Sequence, residues 1–223
     1  DATPSNFPGH SERPVERVKY GDVQVFIERL NDQMAGTIPA GWAYVLPTEA
    51  QWEYACRAGT STGYSWGSSI TSSDANYNWD GEYNTGSDYQ QTRDVGQYSP
   101  NAWGFYDMHG NVREWVADWY GEYAVGPLSD PTGVTSGSNR VIRGGAWWDE
   151  GIYLRSGARY SGDLNYINGG VGFRIAFQDL NNAPINLEVI TALRVEENQP
   201  VGTTVGEFNC TDPDGNSISY FLV

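Results

Sequence analysis

Two carboxylates set around a glycine turn are the clearest chemistry in this sequence. In Asp107-x-x-Gly110-x-Val112-x-Glu114 the two acidic side chains bracket a turn whose Gly110 and Val112 carbonyls can complete a shell of hard oxygen donors. Such a set suits calcium, which takes oxygen ligands in irregular geometry. A second acidic group, Asp149, Glu150 and Asp163, could supply an acid and a base for glycoside hydrolysis if two of them stood at the right separation. Thiol and imidazole chemistry have little to draw on, with only Cys56, Cys210, His10 and His109 present. Two cysteines are too few for a thiolate metal cage, and two histidines are too few for a three-histidine metal site. Cys56 falls on the inward stripe of an expected helix and reads as a small buried apolar residue. His109, in the Asp107-Met108-His109-Gly110 turn, reads as a loop side chain bonded to backbone, and His10 as exposed. No Gly-x-Ser-x-Gly elbow has a supporting context, and neither Gly144-Gly145 nor Gly169-Gly170 precedes a helix that could cradle a phosphate.

The charge balance narrows the partners. Among 223 residues, 28 are Asp or Glu and 13 are Lys or Arg, a formal charge of −15. That field repels phosphate backbones and anionic lipid, which argues against nucleic acid. No stretch approaches the roughly 20 apolar residues of a membrane span, so membrane insertion is not expected. Aromatic residues make up 14% of the chain, with 9 Trp and 15 Tyr, and rings in that number predict a folded interior instead of an acidic disordered chain.

Several elements must position these groups. Val23, Phe26, Ile27 and Leu30 recur at helical spacing, with Asp22 in the opening turn and Gly36 and Pro39 as terminators, and predict a helix over Tyr20 to Met34. Thr48 with Gln51 three residues on is a capping box opening a second short helix that ends near Gly59. From Gly59 to about Pro100 the Gly, Ser, Asn, Asp and Tyr mixture predicts one long loop, which needs an internal tie. Strand candidates lie at Arg140 to Ile142 and Gly172 to Phe177. Asn181-Asn182-Ala183-Pro184 reads as a linker, followed by strand-like alternation of Val, Thr and Glu to Val223. The expected division is therefore 1–180 and 181–223, the second part being the start of a domain cut short.

Four segments carry a resemblance over most of the chain: Leu46-Pro47-Thr48-Glu49-Ala50-Gln51-Trp52-Glu53-Tyr54-Ala55, Asn101 through Trp115, Arg143-Gly144-Gly145-Ala146-Trp147 and Gly172-Phe173-Arg174. In that order they resemble the formylglycine-generating enzyme (sulfatase-modifying factor) family. The resemblance implies an α+β, loop-rich, C-type-lectin-like variant fold with two short helices and small antiparallel sheets. The family carries a further strand region ahead of the position matching Asn6-Phe7, so a fragment, or a sheet completed by other residues, is expected. Asn182 to Val223 looks like the first half of a bacterial cadherin-like repeat, a partial β-sandwich, through Asn182-Ala183-Pro184, Val195-Glu196-Glu197-Asn198 and Thr211-Asp212-Pro213-Asp214-Gly215.

The resemblance also implies roles. Family enzymes hold copper with two cysteines whose places fall near Asp149 and Leu154, and neither residue offers the soft sulfur that copper(I) selects, so no copper is expected. Asp107, Gly110, Val112 and Glu114 match the family's calcium motif. A second calcium site is implied at Asn76 and the Tyr77 carbonyl with Asp88, and Glu197, Asp212 and Asp214 match acidic calcium positions of the tail. Arg143, Arg155, Arg159 and Arg174 match framework positions expected to anchor loops. Trp148, Asp149, Glu150, Tyr153, Tyr160, Asp163, Asn165, Tyr166 and Asn168 form a paratope-like mixture where the fold places its active site or its ligand surface. The resulting expectation is a non-catalytic, calcium-stabilised ligand-binding or adhesion module of a secreted or cell-surface bacterial protein, with a protein or glycan ligand. The alternatives are a structural subunit of an extracellular filament or sheath, meeting neighbouring subunits, and an enzyme with a changed active site.

Overall fold

A computed structural model describes residues 4–8, 10–78, 91–126, 128, 130–180, 185–189 and 208–211. Asp88, Glu197, Asp212 and Asp214 lie outside the described residues. Two compact units are present, Asp1–Ala35 with Tyr44–Ala176, and Gly36–Ala43 with Phe177–Val223.

In the first unit, helix α1 spans Tyr20–Met34 and opens where the Asp22 carboxylate accepts the Lys19 N–H at 3.2 Å. Its buried stripe is Tyr20, Val23 and Ile27, spaced three and four apart as a helix face requires. Phe26, expected on that stripe, stands at its edge, 48% exposed, with its ring 5.4 Å from Phe173. Strand β1 covers Trp42–Val45, its first two residues being assigned to the second unit. Helix α2 covers Glu49–Arg57, and its Thr48–Gln51 capping box forms as the sequence indicated. It stops at Ala58, which takes a left-handed conformation, and Asn101 donates its side-chain amide to the Ala55 and Cys56 carbonyls that the helix end leaves open.

A four-stranded sheet separates the two helices. It is built from β2 (Arg113–Trp119), β3 (Asn139–Arg143), β4 (Arg159–Asp163) and β5 (Val171–Phe173), in the order β4-β3-β2-β5. β2–β3 and β3–β4 are antiparallel, while β2–β5 is parallel. The register aligns Trp115, Ile142 and Tyr160 across three strands, and one position along it aligns Glu114, Arg143 and Arg159. Because successive side chains point to opposite faces, these are two rows on two faces. The first row packs with Val18, Tyr20, Val23 and Ile27 on the α1 side. On the other, Val116 and Val141 pack with Trp52, Cys56 and Met108 on the α2 side. A 3-10 helix, Gly151–Leu154, lies between β3 and β4.

The strand expected over Gly172 to Phe177 is two strands, since β5 ends at Phe173 and β6 runs Ala176–Asp179. Arg174 interrupts them because its side chain turns to Glu114. β2 went unpredicted: it is buried on both faces, so it lacks the alternation of a half-exposed strand. The described part of the Gly59 to Pro100 loop carries no helix or strand. It is tied by Tyr64, Ala75 and Tyr77 packed on Leu154, and by Asn111, which donates to the Arg93 carbonyl and accepts from Arg93 N–H and the Asn76 amide. In the second unit β6 pairs with β1, the Trp42 and Phe177 rings lie 4.9 Å apart, and β7 (Ile185–Val189) pairs antiparallel with β8 (Phe208–Thr211).

Candidate functional site

The charged row of the sheet meets the acidic face of α2 in a buried ion network. Glu49 binds Arg159 through two bonds of 2.9 and 2.7 Å, and Glu53 binds Arg143, whose side chain is fully buried. Arg143 also donates to the Ala158 and Ser156 carbonyls. Glu114 accepts from the Trp52 indole at 2.6 Å and from Arg174 at 3.0 and 2.8 Å. Three of the framework arginines therefore act as expected, each neutralising a carboxylate that burial would otherwise penalise. Arg155 departs from the expectation: it is exposed, and its side chain makes no hydrogen bond or ion pair with a described residue. Gly144 and Gly145, both at positive φ, let this strand end turn against its neighbours, and a Cβ at Gly145 would stand 2.7 Å from Leu154.

His109 is buried, placing Nδ1 2.7 Å from the Leu154 carbonyl while Nε2 faces the Ser65 N–H at 3.2 Å. Nδ1 therefore carries the proton in the neutral ring. Burial lowers its pKa to about 4, with the Leu154 carbonyl opposing and Arg57 adding to the drop. Cys56 lies 3.6 Å from the same Nε2, but burial pushes its thiol up to about 12, so the pair holds no thiolate. The unfolded imidazole protonates near its ordinary 6.5 and the folded one near 4, so His109's contribution is full above pH 6.5 and lost as the pH falls toward 4. The total is about 3 kcal/mol. Burial raises the carboxyl pKa values of Glu16, Asp107 and Asp118, which works in the opposite direction. The measurement is thus the difference in urea midpoint between wild type and His109→Gln, expected to narrow from pH 7 to pH 4.5. A difference independent of pH would refute the buried neutral ring.

The side chains of the first calcium set come together with Arg174 among them, close enough for both Asp107 and Glu114 to act on its charge. Asp107 takes a left-handed conformation, φ +55°, and accepts the Gly96 N–H through one oxygen at 2.7 Å. No described residue donates to its other oxygen. Glu114 Oε1 accepts a single bond, from Arg174, which leaves a lone pair on that oxygen. The oxygens of Asp107 and of the Gly110 and Val112 carbonyls are of the type a hard cation takes, but Arg174 already neutralises Glu114 through both of its oxygens, and among the described residues no group of three or more His, Cys, Asp or Glu side chains is placed to hold a metal ion. Of the second set, Asn76 is buried and uses its amide N–H group on the Gln91 carbonyl and Asn111, leaving the side-chain oxygen unused by those bonds; Tyr77 packs beside it in the Leu154 cluster.

The expected ligand surface is divided. Asp149 is withdrawn from it: buried, it holds Arg113 through bonds of 2.9 and 2.6 Å and accepts the Ala146 N–H at 2.7 Å. Asn168 is also structural, since its side chain accepts the Gly170 N–H and its carbonyl the Arg17 and Val171 N–H groups. Tyr166 is half-buried against Trp115 and Gly162. Trp148 packs on Gly170 and Trp147, with Arg113 between it and Tyr160, and the Tyr160 hydroxyl donates to the Tyr153 carbonyl. Asp163 falls on the opposite face of β4 from Tyr160, because the two are an odd number of positions apart in a strand. Its carboxylate accepts the Asn165 N–H in a turn. Glu150, Tyr153, Asp163 and Asn165 remain exposed. The exposed Ile152, Leu164 and Ile167 belong to the same segment and were missed, because apolar residues are assigned to a core by default. A larger cleft, about 850 Å³, lies elsewhere, floored by Glu49, Asp118 and Arg159 and walled by Tyr54, Tyr123 and Leu128.

A family model for the sulfatase-modifying factor enzyme 1-like domain matches residues 1–179. The chain belongs to this family. The formylglycine-generating enzyme of Streptomyces coelicolor is 35% identical over 186 residues, covering 77% of this chain and 55% of that protein. The mouse formylglycine-generating enzyme is 36% identical over 149 residues, 62% of this chain and 40% of the relative. A serine/threonine-protein kinase, pkn1 of Chlamydia pneumoniae, is 33% identical over 76% of this chain and 25% of its own length. The chain thus spans about half or less of these curated relatives. Among solved structures, Treponema denticola variable protein 1 superposes with a TM-score of 0.66 at 28% identity, over 79% of this chain and 77% of that one. PvdO from Pseudomonas aeruginosa gives 0.64 at 30% identity, over 78% and 65%. Both support a mixed α+β fold of the sulfatase-modifying factor type. The segments that carried the family resemblance supply every member of the ion network except Arg159, so what identifies this sulfatase-modifying factor domain is largely its scaffold. Among the described residues no helix is long and apolar enough to cross a membrane.

Proposed function

We propose that this chain is a non-catalytic, calcium-stabilised binding or adhesion module of a secreted or cell-surface bacterial protein, taking a protein or glycan ligand on the surface around Trp148, Tyr153 and Tyr160. One observation carries the reading. At the two places where the family's catalytic cysteines are expected, Asp149 is consumed by Arg113 and the Ala146 N–H, and Leu154 is fully buried against Tyr64, Ala75 and Tyr77. A carboxylate bound to a guanidinium and an alkyl group sealed in a core do not fit copper(I), so no step is assigned to copper. The same engagement of Asp149, with Asp163 on the far face of β4 from Tyr160, removes support from an enzyme built on Asp149, Glu150 and Asp163.

Calcium would be held by Asp107, the Gly110 and Val112 carbonyls and Glu114, which would have to exchange Arg174 for the ion, and would cross-link the turn before β2 as a structural ion. The rings of Trp148 and Tyr160 are held by packing, so they offer area at little entropy cost, while Glu150 and Asn165 offer adaptable polar groups. A fold shared with a protein named for its variability suits a surface that changes while the scaffold stays. The test is binding of immobilised glycans and surface proteins by wild type, Tyr153→Ala and Asn165→Ala, each with calcium or excess chelator. Tyr153→Ala should weaken a bound partner about tenfold at unchanged melting temperature, and chelator should lower both melting temperature and binding. Binding indifferent to both variants, or oxidation of a peptide cysteine by the chain, would overturn the proposal.

A further inference from the structure

The exception among the framework arginines has a place of its own. Arg155 follows the 3-10 helix and extends its stem beside Gly63, where a Cβ would meet its Cγ, Cδ and Nε at 3.6 to 3.7 Å. Its guanidinium borders an open groove of about 390 Å³ whose other lining includes Arg57, Ser61, Thr62 and Ile152. Arg57 is fixed there by Glu53, at 2.8 and 2.7 Å, and by the Thr62 carbonyl at 3.1 Å. That fixing leaves charge over. Glu53 also serves the buried Arg143, and Glu49 serves Arg159 and lies 3.6 Å from Arg143, so three guanidiniums share two carboxylates. With the unpaired Arg155 the groove is a local positive site on a chain of charge −15. At physiological ionic strength the remote acidic charge is screened over about 8 Å, so these two near guanidiniums decide what binds.

We propose that this groove is a carboxylate-binding site in which Arg155 supplies the primary fork, Arg57 the second positive wall and the Ser61 hydroxyl a rim donor. A planar fork matches a carboxylate through paired N–H donors. The neighbouring backbone favours a monoanion over a dianionic phosphate, because the helix ends beside the groove are C-terminal: Arg57 is the last residue of α2, and Arg155 directly follows Leu154 of the 3-10 helix. Such ends carry partial negative charge, unlike the N-termini that hold phosphate. Ile152, 54% exposed at the same groove, gives the carbon stem of a carboxylate-bearing side chain a surface to lie on.

Titrations of the whole chain followed by amide and arginine Nε–H resonances test this, with acetate, an acetylated Asp-Glu dipeptide amide, inorganic phosphate and chloride as probes at constant ionic strength. Saturable shifts at Arg155, Arg57 and Ser61 to Gly63 are expected for acetate and the dipeptide, weakened about tenfold in Arg155→Ala and only partly recovered in Arg155→Lys. Tighter binding of the dipeptide assigns the site to a carboxylate on a peptide; equal binding assigns it to free carboxylates. Arg155 is exposed, so its variants should keep the wild-type melting temperature. Shifts that grow linearly as with chloride, that persist in Arg155→Ala, or that are stronger with phosphate would overturn the proposal.

Discussion

Replacing Asp149 with alanine should destabilise the fold by about 3 kcal/mol, because it strands the Arg113 guanidinium between Tyr160 and Trp148 and removes the acceptor for the Ala146 N–H. For a unit of this size the melting temperature would drop by about 6 to 12 °C. Asp149→Asn, which keeps an oxygen for these donors but not the charge, should cost less. A side chain poised for catalysis or ligand contact would behave differently, since its removal leaves stability intact or improves it. Thermal unfolding followed by tryptophan fluorescence decides the matter. A loss below about 0.5 kcal/mol, the range of ordinary surface substitutions, would mean that Arg113 is satisfied by water and that Asp149 is free to act on a ligand.

Arg143→Met carries the larger expected loss, about 3 to 5 kcal/mol. Methionine preserves much of the volume, so the effect isolates charge and hydrogen bonding. Arg143 is fully buried and serves Glu53, Glu49 and the Ala158 and Ser156 carbonyls, which no neighbour can replace. Since domains are stable by only about 5 to 15 kcal/mol, the variant should unfold at low denaturant and express poorly. Its pairing with Glu53→Gln should be non-additive, because the two side chains bond each other directly, although Glu53 keeps Arg57 when Arg143 is lost. Simple additivity of the two losses would show that Arg143 and Glu53 are stabilised independently and that the network is not the scaffold described above.

Local signals were legible where one short segment contains its own cause. The Thr48–Gln51 capping box and the Tyr20–Met34 helix need only spacing and cap chemistry, and both form at the residues the sequence indicates. His109 is bonded to backbone as the sequence reading expects, but its partners, the Leu154 carbonyl and the Ser65 N–H, are 45 and 44 residues away and were not legible locally. The family, too, was readable, because its four motifs survive in order. What they are for was not. Glu49, Glu53 and Glu114 find Arg159, Arg143 and Arg174 across separations of 60 to 110 residues, which no periodicity encodes.

The division of the Trp148 to Asn168 segment is likewise tertiary. Composition marks it as aromatic and polar, but strand parity puts Tyr160 and Asp163 on opposite faces, and the single guanidinium of Arg113 turns Asp149 from a surface group into a buried anchor. Arg155 shows the converse: its sequence position matches a framework arginine, yet with no carboxylate folded against it, its charge is left for the groove. The sequence by itself determined the helices, the family and the shortage of thiols and imidazoles, because those follow from residue type and short spacing. Which charges are spent on the scaffold and which remain for a partner was decided only by the folded neighbours, because burial and pairing depend on what the sheet register brings within a few ångströms.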